Sequence, residues 1–227
     1  LKEFYSQEEF YYAVSRREDK QEKIKLLEAV AKAYPKDYRA YNDLGVYHLM
    51  EGEVEEGADH LSMANSLADN NYAVKNNMGV AMRHQGQLQE AMAMLQKSNS
   101  LNSTPQAAYN LGVVYEKLAK YDKAADMFSN AGNLDCSNYN AGLSKLLNND
   151  LASAKVDLEN AIRKDKNDPM PYYLLAIVGA RSADSNLMLL NLKRAVKLDN
   201  NLSAKASNDL EFRRYFDNNE FQTAVQP

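Results

Sequence analysis

The chain has 227 residues, with 27 Lys and Arg against 31 Asp and Glu and a net charge of −4. That balance carries no basic excess and argues against nucleic acid as the main partner, and with no apolar run of about 18 residues or more, no membrane span is expected. One cysteine excludes an internal disulfide, and only five prolines and nine glycines interrupt the chain, as long helices require.

The chain opens at Leu1 with no signal-peptide pattern, and reads as a mature or excised segment. Ser6 is placed to cap a helix running to about Arg17, with Glu8 and Glu9 in its favourable first turn. A second helix follows from Lys20 to Ala33, where Ile24, Leu27, Val30 and Ala31 recur at helical spacing, and Pro35 stops it.

From there the chain repeats itself. The small residues Gly45, Gly79, Gly112, Gly142 and Ala176 are 34, 33, 30 and 34 apart. Gly57, Ala91, Ala124, Ala154 and Met188 step by the same intervals. A period near 34 means stacked supersecondary units. Each unit reads as two antiparallel helices joined by a polar turn: Glu51-Gly52-Glu53, then around Gly86, then Ala119 to Asp122, Asn148-Asn149-Asp150 and Ser182 to Ser185. A glycine in mid-helix costs about 1 kcal/mol against alanine, so each motif glycine predicts a close approach of the paired helix. Leu67, Leu101, Leu134 and Leu198 read as the last residues of second helices. The short step of 30 then predicts a tightened junction around Asp135-Cys136-Ser137, with Cys136 buried or half-buried. After Asn201, Leu202, Ala206, Leu210, Phe212, Tyr215, Phe216 and Phe221 supply apolar surface on a short helix that closes the open end of the array.

Leu111-Gly112-Val113-Val114-Tyr115, followed by Ala124 and Phe128, resembles the tetratricopeptide repeat pattern. Leu44-Gly45 with His48, Met78-Gly79 with Met82 and Ala141-Gly142 with Lys145 are similar to it with substitutions. The resemblance implies an all-α, right-handed solenoid of antiparallel helix pairs with a C-terminal capping helix. It would form one domain over 1–227: a degenerate repeat at about 4–37, repeats at 38–71, 72–104, 105–134, 135–168 and 169–201, and the cap at 202–227.

Chemistry is hard to find. His48, His60 and His84 lack the four-residue spacing of a helical zinc pair, and no cysteine cluster supports them. There is no glycine-rich phosphate loop, and Cys136 has no histidine at a recognisable spacing. No catalytic residue, metal or cofactor is expected, and the chain reads as a non-enzyme. The remaining candidate is the face of the first helices, which the resemblance implies is concave and receives an extended peptide. Helical spacing lays rows along it. Asn77, Asn110 and Asn140 each stand two residues before the motif small residue. Two readings of that row stay open: amides bonding the main chain of a bound peptide, or amides bonding between adjacent helices. Val80, Val113, Leu143, Tyr109, Tyr139 and Tyr173 would add apolar contact, with His84 and Lys117 one turn further along. The set of lysines, arginine and asparagines with which chaperone-binding members of the family hold a C-terminal carboxylate is missing.

The expected function is a noncatalytic scaffold for a protein or extended peptide. The alternatives are self-association, a spacer role in a larger bacterial envelope protein, or a regulatory domain beside an enzyme. The closing segment is similar to those of bacterial envelope arrays, which implies the periplasm or the outer-membrane periphery, with the cytoplasm as the alternative.

Overall fold

In the computed structural model, residues 6–132, 134 and 136–226 are described. They form fourteen α-helices and one 3-10 helix, and no strand occurs among them. The chain divides into two compact units, Leu1–Leu118 and Ala119–Pro227.

The first unit holds α1 (Gln7–Ser15), α2 (Lys20–Ala33), α3 (Tyr38–Glu51), α4 (Val54–Leu67), α5 (Tyr72–His84), α6 (Leu88–Leu101) and α7 (Pro105–Lys117). Local chemistry sets their starts. Ser6 and Glu9 form the reciprocal cap of α1. Asp19 accepts from the Glu22 N–H at 2.8 Å, and Asn71 accepts from the N–H groups of Ala73 and Val74. Thr104 caps α7 with Pro105 at its first position. Phe4, where the degenerate first repeat was expected to begin, lies outside the described residues. Phe10, Val14, Ile24, Leu27, Val30, Ala40 and Leu44 make one core cluster. A second gathers Ala58, Leu61, Met78 and Ala81.

Helices α3 and α4 meet at paired glycines. A Cβ added to Gly45 would stand 2.5 Å from Leu61 Cγ and 2.9 Å from the Gly57 carbonyl oxygen. One added to Gly57 would stand 3.0 Å from the Gly45 carbonyl oxygen. Gly79 meets Leu95 in the same way, at 2.6 Å from Cγ. The mid-helix glycine is thus the condition for this approach, as its cost in helix propensity required.

The second unit holds α8 (Tyr121–Ala131), α9 (Ser137–Leu147), α10 (Leu151–Lys164), α11 (Pro169–Arg181), α12 (Ser185–Leu198), α13 (Asn201–Asn208), a 3-10 helix (Leu210–Tyr215) and α14 (Asn219–Ala224). Three expectations change here. Leu134 does not end a helix: α8 stops at Ala131, because Gly132 takes a left-handed φ of 62°. The residues missing from the period come from the helices, since α8 and α9 each have 11 residues where α6 has 14 and α7 has 13. Asp135, the first residue of the predicted tight junction, lies outside the described residues. Cys136 is exposed rather than buried and takes a φ of 65° at the start of α9.

The last repeat also departs from the others. Its motif residue is Ala176, but the close approach occurs at Gly179, where a Cβ would lie 2.5 Å from the Met188 backbone nitrogen. Met188 fills the position held elsewhere by a small residue and is fully buried, with its backbone against Gly179.

The closing segment packs as three short pieces. Phe212 is fully buried, edge-on to Tyr173 at 5.8 Å and against Phe221 at 5.7 Å. Arg181 clamps the segment by donating to both carboxylate oxygens of Glu211 and, at 2.8 Å, to the Leu146 carbonyl. Leu210, expected to be covered, is 77% exposed, because the 3-10 helix turns it outward while Phe212 points in.

Candidate functional site

In the first unit the candidate face is built by α3, α5 and α7. Residues one helical turn apart share a face, so Asp43, Val46 and Met50 on α3 align with Asn77, Val80 and His84 on α5, and with Asn110, Val113 and Lys117 on α7.

The asparagine row is bonded from helix to helix. Asn110 Nδ2 donates to Asn76 Oδ1 at 3.0 Å, and Asn76 Nδ2 donates to Asn77 Oδ1 at 3.2 Å. Asn77 Nδ2 donates to Asn42 Oδ1 at 2.9 Å, and Asn42 Nδ2 donates to Asp43 Oδ1 at 3.1 Å. Three helices are thus joined by one chain of amides ending on a carboxylate. Asn76 and Asn42 were not singled out by the motif, although both adjoin residues that were. Burial, with Asp37 nearby, pushes the Asp43 carboxyl above its ordinary value.

Beside the amides lie Val46, Val80 and Val113, all half-buried. Val46, Leu49, Met50, Asn77, Val80 and His84 enclose a depression of about 190 Å³. Met50 is 65% exposed at its rim. His84 and Lys117 are exposed at the far end of the row, while Tyr109 is half-buried. The Arg83 guanidinium donates to His84 Nε2 at 3.0 Å. Burial, then the charges of Arg83 and Lys117, hold the His84 imidazole below its ordinary pKa.

In the second unit, Asn140 and Leu143 are half-buried on α9, and Tyr139 is half-buried beside them. Tyr139 lines a cavity of about 240 Å³ with Cys136, Asn138, Ala161, Lys164, Asp165 and Asp168. Tyr173 does not join a ligand face: it is 1% exposed, and its hydroxyl donates to Asp209 at 2.8 Å. Its neighbours Leu174 and Ile177 are buried in the same cluster as Phe212 and Phe221. The closing segment covers the side of α11 where sequence spacing placed a binding row.

Elsewhere, His48 stacks on His60 at 5.2 Å, and its Nδ1 lies 2.6 Å from a Glu53 carboxylate oxygen. Among the described residues, no group of three or more His, Cys, Asp or Glu side chains could hold a metal ion. No helix there is long and apolar enough to cross a membrane.

Two family models described as tetratricopeptide repeat match the sequence, at residues 22–72 and 106–133. No curated protein matches it. Among solved structures, PilF of Pseudomonas aeruginosa superposes with a TM-score of 0.72 at 15% identity, over 92% of this chain and 96% of that one. YrrB, described as a tetratricopeptide repeat protein with an unusual peptide-binding site, gives 0.70 at 17% identity, over 79% of this chain and 97% of that one. MamA from Desulfovibrio magneticus RS-1 gives 0.66 at 19% identity, over 72% and 96%. At such identities the likeness is one of fold. Members of this fold generally serve as protein-interaction scaffolds rather than as enzymes. The repeat period, the glycine-paired helices and the two family matches agree, and the chain carries tetratricopeptide repeats.

Proposed function

We propose that this chain is a noncatalytic scaffold that holds an extended segment of a partner protein against the α3, α5 and α7 face. The observation that carries the reading is the open apolar depression at Val46, Leu49, Met50 and Val80, with Met50 65% exposed at its rim. At about 190 Å³ it is smaller than the roughly 300–1,000 Å³ of small-molecule pockets, and suits single side chains presented by a peptide. The peptide-binding site named for YrrB supports the reading by analogy of fold. The asparagine amides contribute as a brace for this face, since Asn77 and Asn110 already bond their neighbours. In this reading the setting is the periplasm or the outer-membrane periphery, supported by the similarity of the closing segment to those of envelope arrays.

The test is selection from a random peptide library on the purified chain, followed by binding to a Met50→Gln, Val80→Gln variant of unchanged melting. Selected peptides should lose most of their affinity for the variant. Selection without enrichment, or peptides indifferent to both substitutions, would refute a peptide site here.

A further inference from the structure

The charges around the same face point to the chemistry of its partner. The chain is acidic overall, and several cations of the first unit stand against an acid. Lys20 meets Glu51, Lys75 meets Asp69, and Arg39 meets Asp37 and Glu8. The ends of α5 and α7 differ. Among the described residues, neither Arg83 nor Lys117 forms an ion pair. Arg83 is half-buried, and its guanidinium donates to Nε2 of His84. A guanidinium has no acceptor atom and keeps its proton, so this bond requires neutral His84. Placement in the last turns of α5 and α7 suits the helix dipoles, but a partial dipole charge does not replace a counter-ion. A partly desolvated cation without one is a standing cost that an incoming carboxylate would relieve.

This cationic end adjoins the apolar depression. His84 belongs to both: it lines the depression with Met50 and Val80 and accepts from Arg83. On the other side of the valines, the amide of Asn77 donates to Asn42 and accepts from Asn76, and that of Asn110 donates to Asn76. Recognition at this face therefore falls mainly to side chains of the ligand and selects its sequence, whereas free main-chain bonding would not.

We propose that the partner segment is acidic and aliphatic. An aliphatic side chain seats among Val46, Met50 and Val80, and a nearby carboxylate lies against Arg83, His84 and Lys117. This rests on the reading of the face as a peptide site.

The experiment uses peptides selected from the random library and synthetic versions of each in which Glu or Asp becomes Gln or Asn. Binding is measured by fluorescence anisotropy at low and high salt, to the wild type, Lys117→Glu, Arg83→Gln and Met50→Gln with Val80→Gln. Lys117 is exposed, so Lys117→Glu keeps the test valid if Arg83→Gln fails to fold. The expected result is enrichment of acidic peptides with an aliphatic residue, and about tenfold weaker binding on neutralising the peptide carboxylate, on Lys117→Glu or on adding salt. If the selected peptides need Met50 and Val80 but are neutral or basic, and ignore Lys117→Glu, the acidic partner is refuted while the peptide site stands. If nothing enriches, or nothing depends on Met50 and Val80, the peptide site falls, and this inference with it.

Discussion

Asp37 shows how much one side chain does in this fold. It starts α3, accepting from the Arg39 N–H at 3.0 Å, and its carboxylate also takes the Tyr11 hydroxyl at 2.9 Å, the Gln7 amide and the Arg39 guanidinium. Arg39 in turn lies over the Tyr11 ring at 4.2 Å. Burial alone would raise the Asp37 carboxyl, but the bonds from Arg39, Gln7 and Tyr11 outweigh it and hold the group below its ordinary range. A depressed carboxylate stabilises the fold above its unfolded pKa, and that contribution is lost as pH falls through the folded value. Asp37→Asn should therefore cost about 1–3 kcal/mol at neutral pH. The gap from wild type should narrow steadily on acidification, read by urea unfolding at a series of pH values. A gap independent of pH would show that the carboxylate charge is not what matters. Sequence reasoning found Ser6 as a cap because its signal is local, but Asp37 draws three of its partners from α1 and α3 together. No spacing rule reports such a set.

Legibility at the scale of the element follows the same division. Lys20 to Ala33 was read to the residue because a polar cap, a 3.6-residue stripe and Pro35 all agree there. Repeat spacing places the end of α8 at Leu134, but Gly132, which follows no repeat, stops the helix at Ala131. In the closing segment, composition announced a cap but not its orientation: two residues apart, Phe212 is fully buried and Leu210 is 77% exposed. This contrast yields a prediction. Phe212→Ala should remove about 3–5 kcal/mol, whereas Leu210→Ala should stay within about 0.5 kcal/mol, by chemical denaturation followed in the second unit. Equal effects would mean that the cap is held by Arg181 and Glu211 rather than by its aromatic core.

For the whole molecule, arrays of this kind draw stability from each repeat and its immediate neighbours. A defect in one repeat should therefore loosen its surroundings rather than the entire chain. Gly142 tests this, since a Cβ there would lie 2.7 Å from Leu158 Cγ and 3.2 Å from its backbone nitrogen. In Gly142→Ala, amide hydrogen exchange should quicken in α9 and α10 and remain unchanged in α1 to α4. Uniform acceleration would describe a single cooperative block instead. The candidate site was legible at this scale only as rows. Periodicity aligned Asn77 with Asn110 and Val80 with Val113, but what the amides bond is decided by side chains on other helices. The last row failed at Tyr173 because the cap, which follows no repeat, covers it.

The chain of amides from Asn110 to Asp43 has a further consequence. An amide can point either way, but an ionised carboxylate only accepts. Asp43 therefore fixes the facing of Asn42, which fixes Asn77, then Asn76, then Asn110. Five side chains on three helices share one polarity, dictated by an absent proton at one end. Burial makes Asp43 take up that proton more readily than an ordinary aspartate, so mild acid should let the whole line lose its arrow. Asp43→Asn should do so at any pH, and doubled NMR signals from these side-chain amides would record the two facings coexisting in one fold.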